Sequence, residues 1–267
     1  ETVSCTPEAK IYWIGNSNAD QLIFYLHGGG YGLPADEGHI RFLIDCQKRL
    51  GERGRLTSVA VLEYSLAPAS QYPIQPRQAL AAFQALLNKG FSPSNIVIGG
   101  DSAGGNLALA LLSILNHPAA PFQEVKLDEP LRGAFLISPW VSFTSQSPSY
   151  REFVNMDIVL TEQMLEWADD FAPSPIRNEY SEPLRADVSW WRNLPVKDLL
   201  ILAGGKEIFR SDIEEVGRRI SDAGVRTTMV TCANHVHIEC ILDKKARLPA
   251  GEMERTIWKW LESNLTI

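Results

Sequence analysis

Two glycine-rich stretches carry residue types able to do chemistry. Gly100-Asp101-Ser102-Ala103-Gly104 fits the pattern G-x-S-x-G. Residues 95–98 before it read as a short apolar strand, and residues 106–115 after it as a nearly all-apolar buried helix. Between a strand and a helix, small flanking residues permit a sharp turn that lifts the Ser102 hydroxyl to the sheet edge. The helix behind points its N-terminal N–H groups, Ala103's among them, at any oxyanion forming there. The second stretch, His27-Gly28-Gly29-Gly30-Tyr31, follows a strand-like run at residues 22–26. Three successive glycines let the backbone approach a ligand without side-chain interference. A phosphate loop is the rival reading, but no GK[ST] follows and no dinucleotide fingerprint appears. The two motifs together suggest acyl transfer through a serine nucleophile, with backbone N–H groups holding the oxyanion.

A serine nucleophile needs a base, and the base needs an orienting acid. On a strand–turn–helix of this kind the chain order is Ser, acid, His. Residues 199–203 read as a strand, and Glu207 stands at its mouth. Asp212 lies farther on, where an N-cap role at a helix start competes with a catalytic one. Residues 227–231 form another strand-like run, followed by Asn234-His235-Val236-His237, and either histidine could serve as base. His27 and His39 precede the serine and His117 sits just after its helix, so the three fit the order poorly.

The elements that would position these groups alternate. Strand-like runs at 11–14, 22–26, 58–62, 95–98, 131–137, 199–203 and 227–231 are spaced by helical patterns at 40–50, 77–88, 106–115, 213–223 and 252–261. Strands apolar from end to end, separated by helices, predict an α/β fold with a mostly parallel sheet covered on both faces. The rhythm breaks between Ser138 and Pro195, which hold Trp140, Trp167, Trp190, Trp191 and a helical run at 161–171 but no clear strand. An insertion of that kind, at about 141–195, reads as a cap over the active site of a single domain spanning 1–267. The bland alternative is a surface excursion whose aromatic residues form a small core of their own.

Composition excludes other classes. The 267 residues are 45% hydrophobic and 21% charged, which leaves no room for a disordered tail or coiled coil. A net charge of −7 lacks the basic footprint of a nucleic-acid binder. No apolar run reaches the ~18 residues of a membrane span. Cys5, Cys46, Cys232 and Cys240 are too scattered for a disulfide scaffold, and no CxxC pair suggests a metal. Cys232 and Cys240 flank the histidine loop as two free thiols or a pair. Asn264-Leu265-Thr266 matches a glycosylation triplet that often arises by chance. The chain starts at Glu1 with neither an initiator Met nor a charged-then-apolar leader, and reads as processed or trimmed, with a removed N-terminal anchor in view.

The two motifs and the downstream acid and histidine resemble the hormone-sensitive-lipase-like esterases of the α/β-hydrolase fold. The nearest likeness is to their steryl acetyl hydrolase-like branch. It is carried by Tyr64-Ser65-Leu66-Ala67-Pro68, the stretch from Ile98 to Leu107, Leu136-Ile137-Ser138-Pro139-Trp140-Val141-Ser142 and Glu179-Tyr180-Ser181-Glu182-Pro183. The resemblance implies a Ser102–His237–Glu207 triad. That branch uses Glu as its acid, and its histidine lies in V-H-x-E, as in Val236-His237-Ile238-Glu239. It also implies an oxyanion hole from the N–H groups of Gly29, Gly30 and Ala103, with Gly28 shaping the turn. Relatives carry a longer N-terminal segment, some with a membrane anchor, whereas His27 here lies only 27 residues in.

The function that follows is hydrolysis of a carboxylic ester through an acyl-enzyme, with no metal and no organic cofactor. Tyr31 and Trp140 are expected to crowd the acyl side and favour acetyl esters. Trp190, Trp191 and the 161–171 helix are expected to face a bulky apolar alcohol of sterol or polyketide size. An acyltransferase or a lactone-forming or lactone-cleaving enzyme could use the same triad, and a ligand receptor on this fold is the non-enzyme alternative. The expected partner is a small-molecule ester or lactone; the sequence assigns neither oligomeric state nor compartment.

Overall fold

The computed structural model describes residues 1–3, 7–54 and 56–265. Cys5 and Thr266, the last residue of the glycosylation triplet, lie outside them.

Among the described residues eight strands form one sheet: β1 (Thr2–Val3), β2 (Ala9–Ile14), β3 (Gln21–Leu26), β4 (Thr57–Glu63), β5 (Ile96–Asp101), β6 (Gly133–Ile137), β7 (Leu199–Gly204) and β8 (Thr227–Cys232). Their spatial order is β1-β2-β4-β3-β5-β6-β7-β8, with β1 and β2 antiparallel and every later pairing parallel. The end-to-end apolar character of the central strands follows from their period of two. In β3, Leu22, Phe24 and Leu26 join one core while Ile23 and Tyr25 join the other. In β7, Leu199, Ile201 and Ala203 face the first core, and Leu200 and Leu202 the second. Burying such a side chain contributes roughly 1.5–3 kcal/mol, so a one-residue slip of register would be heavily disfavoured.

Helices α2 (Ile74–Asn88), α3 (Ala103–Asn116) and α6 (Arg210–Asp222) cover the first core. Helices α1 (Glu37–Glu52), α7 (Glu239–Lys245) and α8 (Glu252–Leu265) cover the second. Asp36 caps α1, its carboxylate accepting from the Gly38 and His39 N–H groups. α3 is held by packing along nearly its whole length: twelve of its fourteen residues are buried. No helix among the described residues is long and apolar enough to cross a membrane.

Between β6 and β7 the chain leaves the sheet. This stretch holds α4 (Pro148–Phe153), α5 (Thr161–Phe171) and three short 3-10 turns, Ser174–Ile176, Pro183–Arg185 and Val188–Trp191. Its buried Trp140, Val141, Phe143, Met164, Phe171 and Trp191 belong to the same core as α2, α3 and α6. They extend the sheet's core rather than form a separate one. The predicted strand at 131–137 shortens to β6, because Leu131 instead bridges to Val196 as the chain returns. α4 and α7 carried no periodic signal long enough to read, and both are helices of two turns or fewer.

Candidate active site

Parallel strands deliver their C-terminal ends to one edge of the sheet, where ligands of such folds bind. The loops after β3, β5, β6, β7 and β8 therefore bring His27–Tyr31, Ser102, Ser138, Glu207 and His237 to one region. Ser102 sits between β5 and α3 with φ 50° and ψ −119°, a left-handed conformation costly for a side-chain-bearing residue. Its N–H donates to Ile137 O at 2.9 Å, and its carbonyl accepts from Asn106 and Trp140 N–H at 3.0 Å each, so the turn is pinned on both sides. A Cβ on Gly104 would stand 2.0 Å from Leu26 O, which explains the glycine two residues after the serine. Ala103 lies in the first turn of α3, where no intrahelical acceptor exists for its N–H.

The Ser102 Oγ is 2.9 Å from His237 Nε2. On the imidazole's other side Glu207 Oε2 is 3.6 Å from His237 Nδ1, an ion-pair contact slightly longer than a hydrogen bond. The Ser138 hydroxyl donates to that same Glu207 Oε2 at 2.6 Å and accepts from the Ile238 N–H at 3.2 Å. Burial pushes the Glu207 carboxyl above its ordinary range, more than His237 and Ser138 draw it down. Burial works against the His237 imidazolium, but Glu207, and more weakly Asp157 and Asp101, lift its pKa above the usual value. The Phe209 ring meets the imidazole at 5.0 Å and 87°, fixing its plane.

The other candidates lie elsewhere. Asp212 is in the first turn of α6, and burial takes its carboxyl up to about 6. His235 turns its ring toward Glu239, 3.9 Å away, and toward Gly251, while its carbonyl accepts from Lys206 N–H.

Gly29 and Gly30, at φ 106° and 60°, line the same cavity as Ser102. Beneath them Asp101 is completely buried; its Oδ1 accepts from the Gly28 N–H at 2.9 Å and the Tyr25 hydroxyl at 2.8 Å. Its Oδ2 is 3.2 Å from His39 Nε2, and His39 Nδ1 is 2.9 Å from Asp36. Burial disfavours the His39 cation, but the two carboxylates outweigh it and raise the pKa to about 9. Its neighbour His27, stacked on Tyr64 with ring centroids 4.2 Å apart, is pushed by burial down to about 4. His39 stands before the serine in the chain and so falls outside the order that finds a triad. Its role in holding Asp101 had no local sequence signal beyond the cap.

The cavity over Ser102 measures about 300 Å³ and is walled by Trp140, Trp167, Met164, Leu160, Leu33 and Phe209, among others. Trp140 is part of this wall. Tyr31 is not part of this wall: its hydroxyl donates to Asn106 Oδ1 at 2.6 Å and its ring stacks on Phe171, so it braces the glycine loop from behind. Trp190 and Trp191 are also absent from it. Trp190 packs on His117 and donates to Ser113, near the far end of α3, roughly 16 Å along the helix from Ser102. Trp191 is fully buried in the core. Trp167 of α5 is in this wall instead, its indole laid against Gly30 and Gly32. Cys46, Cys232 and Cys240 are free buried thiols, so Cys232 and Cys240 are not paired.

Residues 23–240 match the alpha/beta hydrolase fold family. Among curated proteins the chain is similar to "Putative steryl acetyl hydrolase mug81" of Schizosaccharomyces pombe, with 29% identity over 92% of this chain and 66% of that protein. It is similar to an "Acetyl-hydrolase" of Streptomyces hygroscopicus, with 28% identity over 88% of this chain and 72% of that one. The chain thus spans about two thirds of the length of these relatives. Among solved structures, an esterase from the bacterial hormone-sensitive lipase family superposes with a TM-score of 0.78 at 26% identity, covering 96% of this chain and 85% of that one.

Proposed function

The chain belongs to the alpha/beta hydrolase fold family, among its hormone-sensitive-lipase-like esterases, and on that premise we propose that it is a serine carboxylic-ester hydrolase. Ser102 is the nucleophile, His237 the base and Glu207 the orienting acid. The observation that carries the reading is the 2.9 Å approach of His237 Nε2 to a Ser102 Oγ held on a strained turn at a helix N-terminus. His237 takes the Ser102 proton as the oxygen attacks the ester carbonyl. The N–H groups of Gly29, Gly30 and Ala103 receive the oxyanion. His237 then protonates the leaving alkoxide, and water repeats the sequence on the acyl-enzyme. Glu207 holds the imidazole tautomer and stabilises the cation that forms.

The substrate we assign is a short-acyl, chiefly acetyl, ester of a bulky apolar alcohol. Trp140 and Trp167 crowd the space beside Ser102 and Gly30, which supports a small acyl group. The apolar wall of α5 and residues 158–160 supports an apolar alcohol. Relatives named as a putative steryl acetyl hydrolase and an acetyl-hydrolase support the reading. A fluorophosphonate probe should label the wild-type chain and fail to label Ser102→Ala, whose turnover of p-nitrophenyl acetate should fall by several orders of magnitude. Labelling that survives Ser102→Ala would remove the nucleophile from this scheme. Across esters of two to twelve carbons, turnover should decline with acyl length, and with water and an alcohol in competition the free acid should dominate.

A further inference from the structure

The connection between α4 and α5 is poorly anchored by its own apolar side chains. Val154, Met156, Ile158 and Leu160 are 42–65% exposed. The carboxylate in their midst is bound on every side. Asp157 Oδ1 accepts from the Ile158 N–H at 2.8 Å and the His237 N–H at 3.1 Å. Its Oδ2 accepts from the Ile208 N–H at 2.8 Å. One side chain from the insertion therefore bridges the backbone of His237 to the residue after Glu207, across the two loops that follow β7 and β8. The residues next to it, Ile158, Val159 and Leu160, wall the cavity over Ser102.

We propose that Asp157 is a positioning residue, holding the loops of Glu207 and His237 at their working separation and tying the substrate wall to them. The proposal rests on the reading of Glu207 and His237 as acid and base. The physical case is one of number and reach. Each loop bends away from its own strand, and few main-chain bonds run between the two. Lys206 N–H to His235 O is one, and Ser138 bridges Glu207 to Ile238. Asp157 adds two charge-assisted acceptances, roughly twice as strong as neutral ones. The 3.6 Å gap between Glu207 and His237 lies where a small change of loop separation makes or loses a hydrogen bond. The charge also acts directly: the acidic groups acting on His237 are Glu207 from the β7 loop, Asp157 from the insertion and Asp101 from the end of β5, and all three favour its cation.

The test uses the full chain with Asp157→Asn and Asp157→Ala, read by pH-dependent kinetics on p-nitrophenyl acetate and by thermal melting. A single Asn oxygen can keep part of the acceptor set, whereas Ala keeps none. Rate should therefore be graded: kcat/KM falls roughly 3–10-fold in Asn and 10–100-fold in Ala. Both variants lack the charge, so the acid limb of kcat/KM should move to lower pH by roughly 0.5–1 unit in both. If Asp157→Ala fails to fold, Asp157→Asn alone still carries the pH test. A lost rate with an unmoved acid limb would reduce Asp157 to an anchor of the insertion and overturn the proposal, as would rates within twofold of wild type. Failure of the underlying reading is separable, because Glu207→Gln and His237→Ala would then keep turnover of p-nitrophenyl acetate near that of wild type.

Discussion

On one side of Ser102 the backbone is clamped by buried polar groups; on the other it is approached by side chains from distant loops. The glycine side rests on Asp101, which bonds Gly28 and Tyr25 and pairs with His39, all enclosed in the core. The acid–base side brings together Ser138, Glu207, His237 and Asp157, from four separate loops, against a wall of half-exposed apolar residues. The difference teaches where each kind of control resides. On the proposed oxyanion side the glycine turns are local, and the buried Asp101–His39 pair fixes them from below across 62 to 73 residues of chain. The acid–base side is set by side chains whose partners are remote in the chain, and it is more open to adjustment by whatever occupies the pocket.

The largest expected break in that comparison comes from the acid. Glu207→Gln should lower kcat by roughly 10³–10⁴-fold, since a neutral amide favours the wrong imidazole tautomer and cannot stabilise the cation. Asp212→Asn should stay within about threefold, because Asp212 sits in the first turn of α6 and His237 has Glu207 beside it instead. Steady-state kinetics of the two variants on one aryl acetate decide it, and the reverse ranking would move the acid role to Asp212. Because His237 is raised, the wild-type rate should climb with its midpoint above the ordinary imidazole value of about 6.5.

Next in size is a break on the glycine side. A Cβ on Gly30 would lie 2.1 Å from Trp167 Cε3, and the residue's φ of 60° adds strain for any side chain. Gly30→Ala should cost roughly 10²–10³-fold in kcat by displacing an oxyanion donor. The double variant with Trp167→Ala removes the clash but keeps the strain, and should recover part of that loss. Equal rates for the single and double variants would show that the indole is not what the new methyl meets.

A third test reads the buried charge as stability. The His39 pKa is raised to about 9, so its stabilisation is fully present below pH 6.5 and is lost as pH rises toward 9. The His27 pKa is lowered to about 4, so its contribution is present above pH 6.5 and is lost as pH falls toward 4. Each shift corresponds to about 3 kcal/mol, and the contribution of these two groups is greatest near pH 6.5. His39→Leu should lower the melting temperature at pH 6.5, by leaving Asp101 buried without its partner, and should flatten the alkaline limb of the melting curve. An alkaline limb unchanged in that variant would assign the fall to other groups.

The same contrast explains how much was legible in the sequence. Strands and long helices announced themselves by period, and the Ser102 and Gly28–Gly30 turns by glycines that close approach demands, as at Gly104 against Leu26. Glu207 and His237 could be approached because each follows a strand. Ser138, Asp157 and His39 could not: each acts on a residue 62 to 100 positions away, through one hydroxyl, carboxylate or imidazole with no repeating pattern. Trp190 and Trp191 lie away from the cavity for a related reason. Composition says that an aromatic residue will be covered, but only the path of the insertion says by what. Trp190 found its cover at the far end of α3, whereas Trp167 found it on Gly30.

That placement gives the smallest and most selective test. Trp167 walls the cavity against the glycine loop, so Trp167→Ala should open room beside Ser102 without touching the acid–base side. Its expected effect is a change of preference rather than a collapse of rate. Opening a hydrophobic wall alters discrimination by about 1–3 kcal/mol, so the ratio of octanoate to acetate kcat/KM should rise by roughly tenfold. Trp190→Phe is the matched control. It loses the bond to Ser113 and part of the contact with His117 and Tyr180, which should lower the melting temperature by a few degrees. The acyl-length ratio should stay at its wild-type value, because no atom of Trp190 borders the cavity over Ser102. A chain-length series of p-nitrophenyl esters on both variants reads the two effects together. If Trp190→Phe shifts the ratio and Trp167→Ala does not, the pocket extends along α3 and its wall is the 188–191 turn instead of α5.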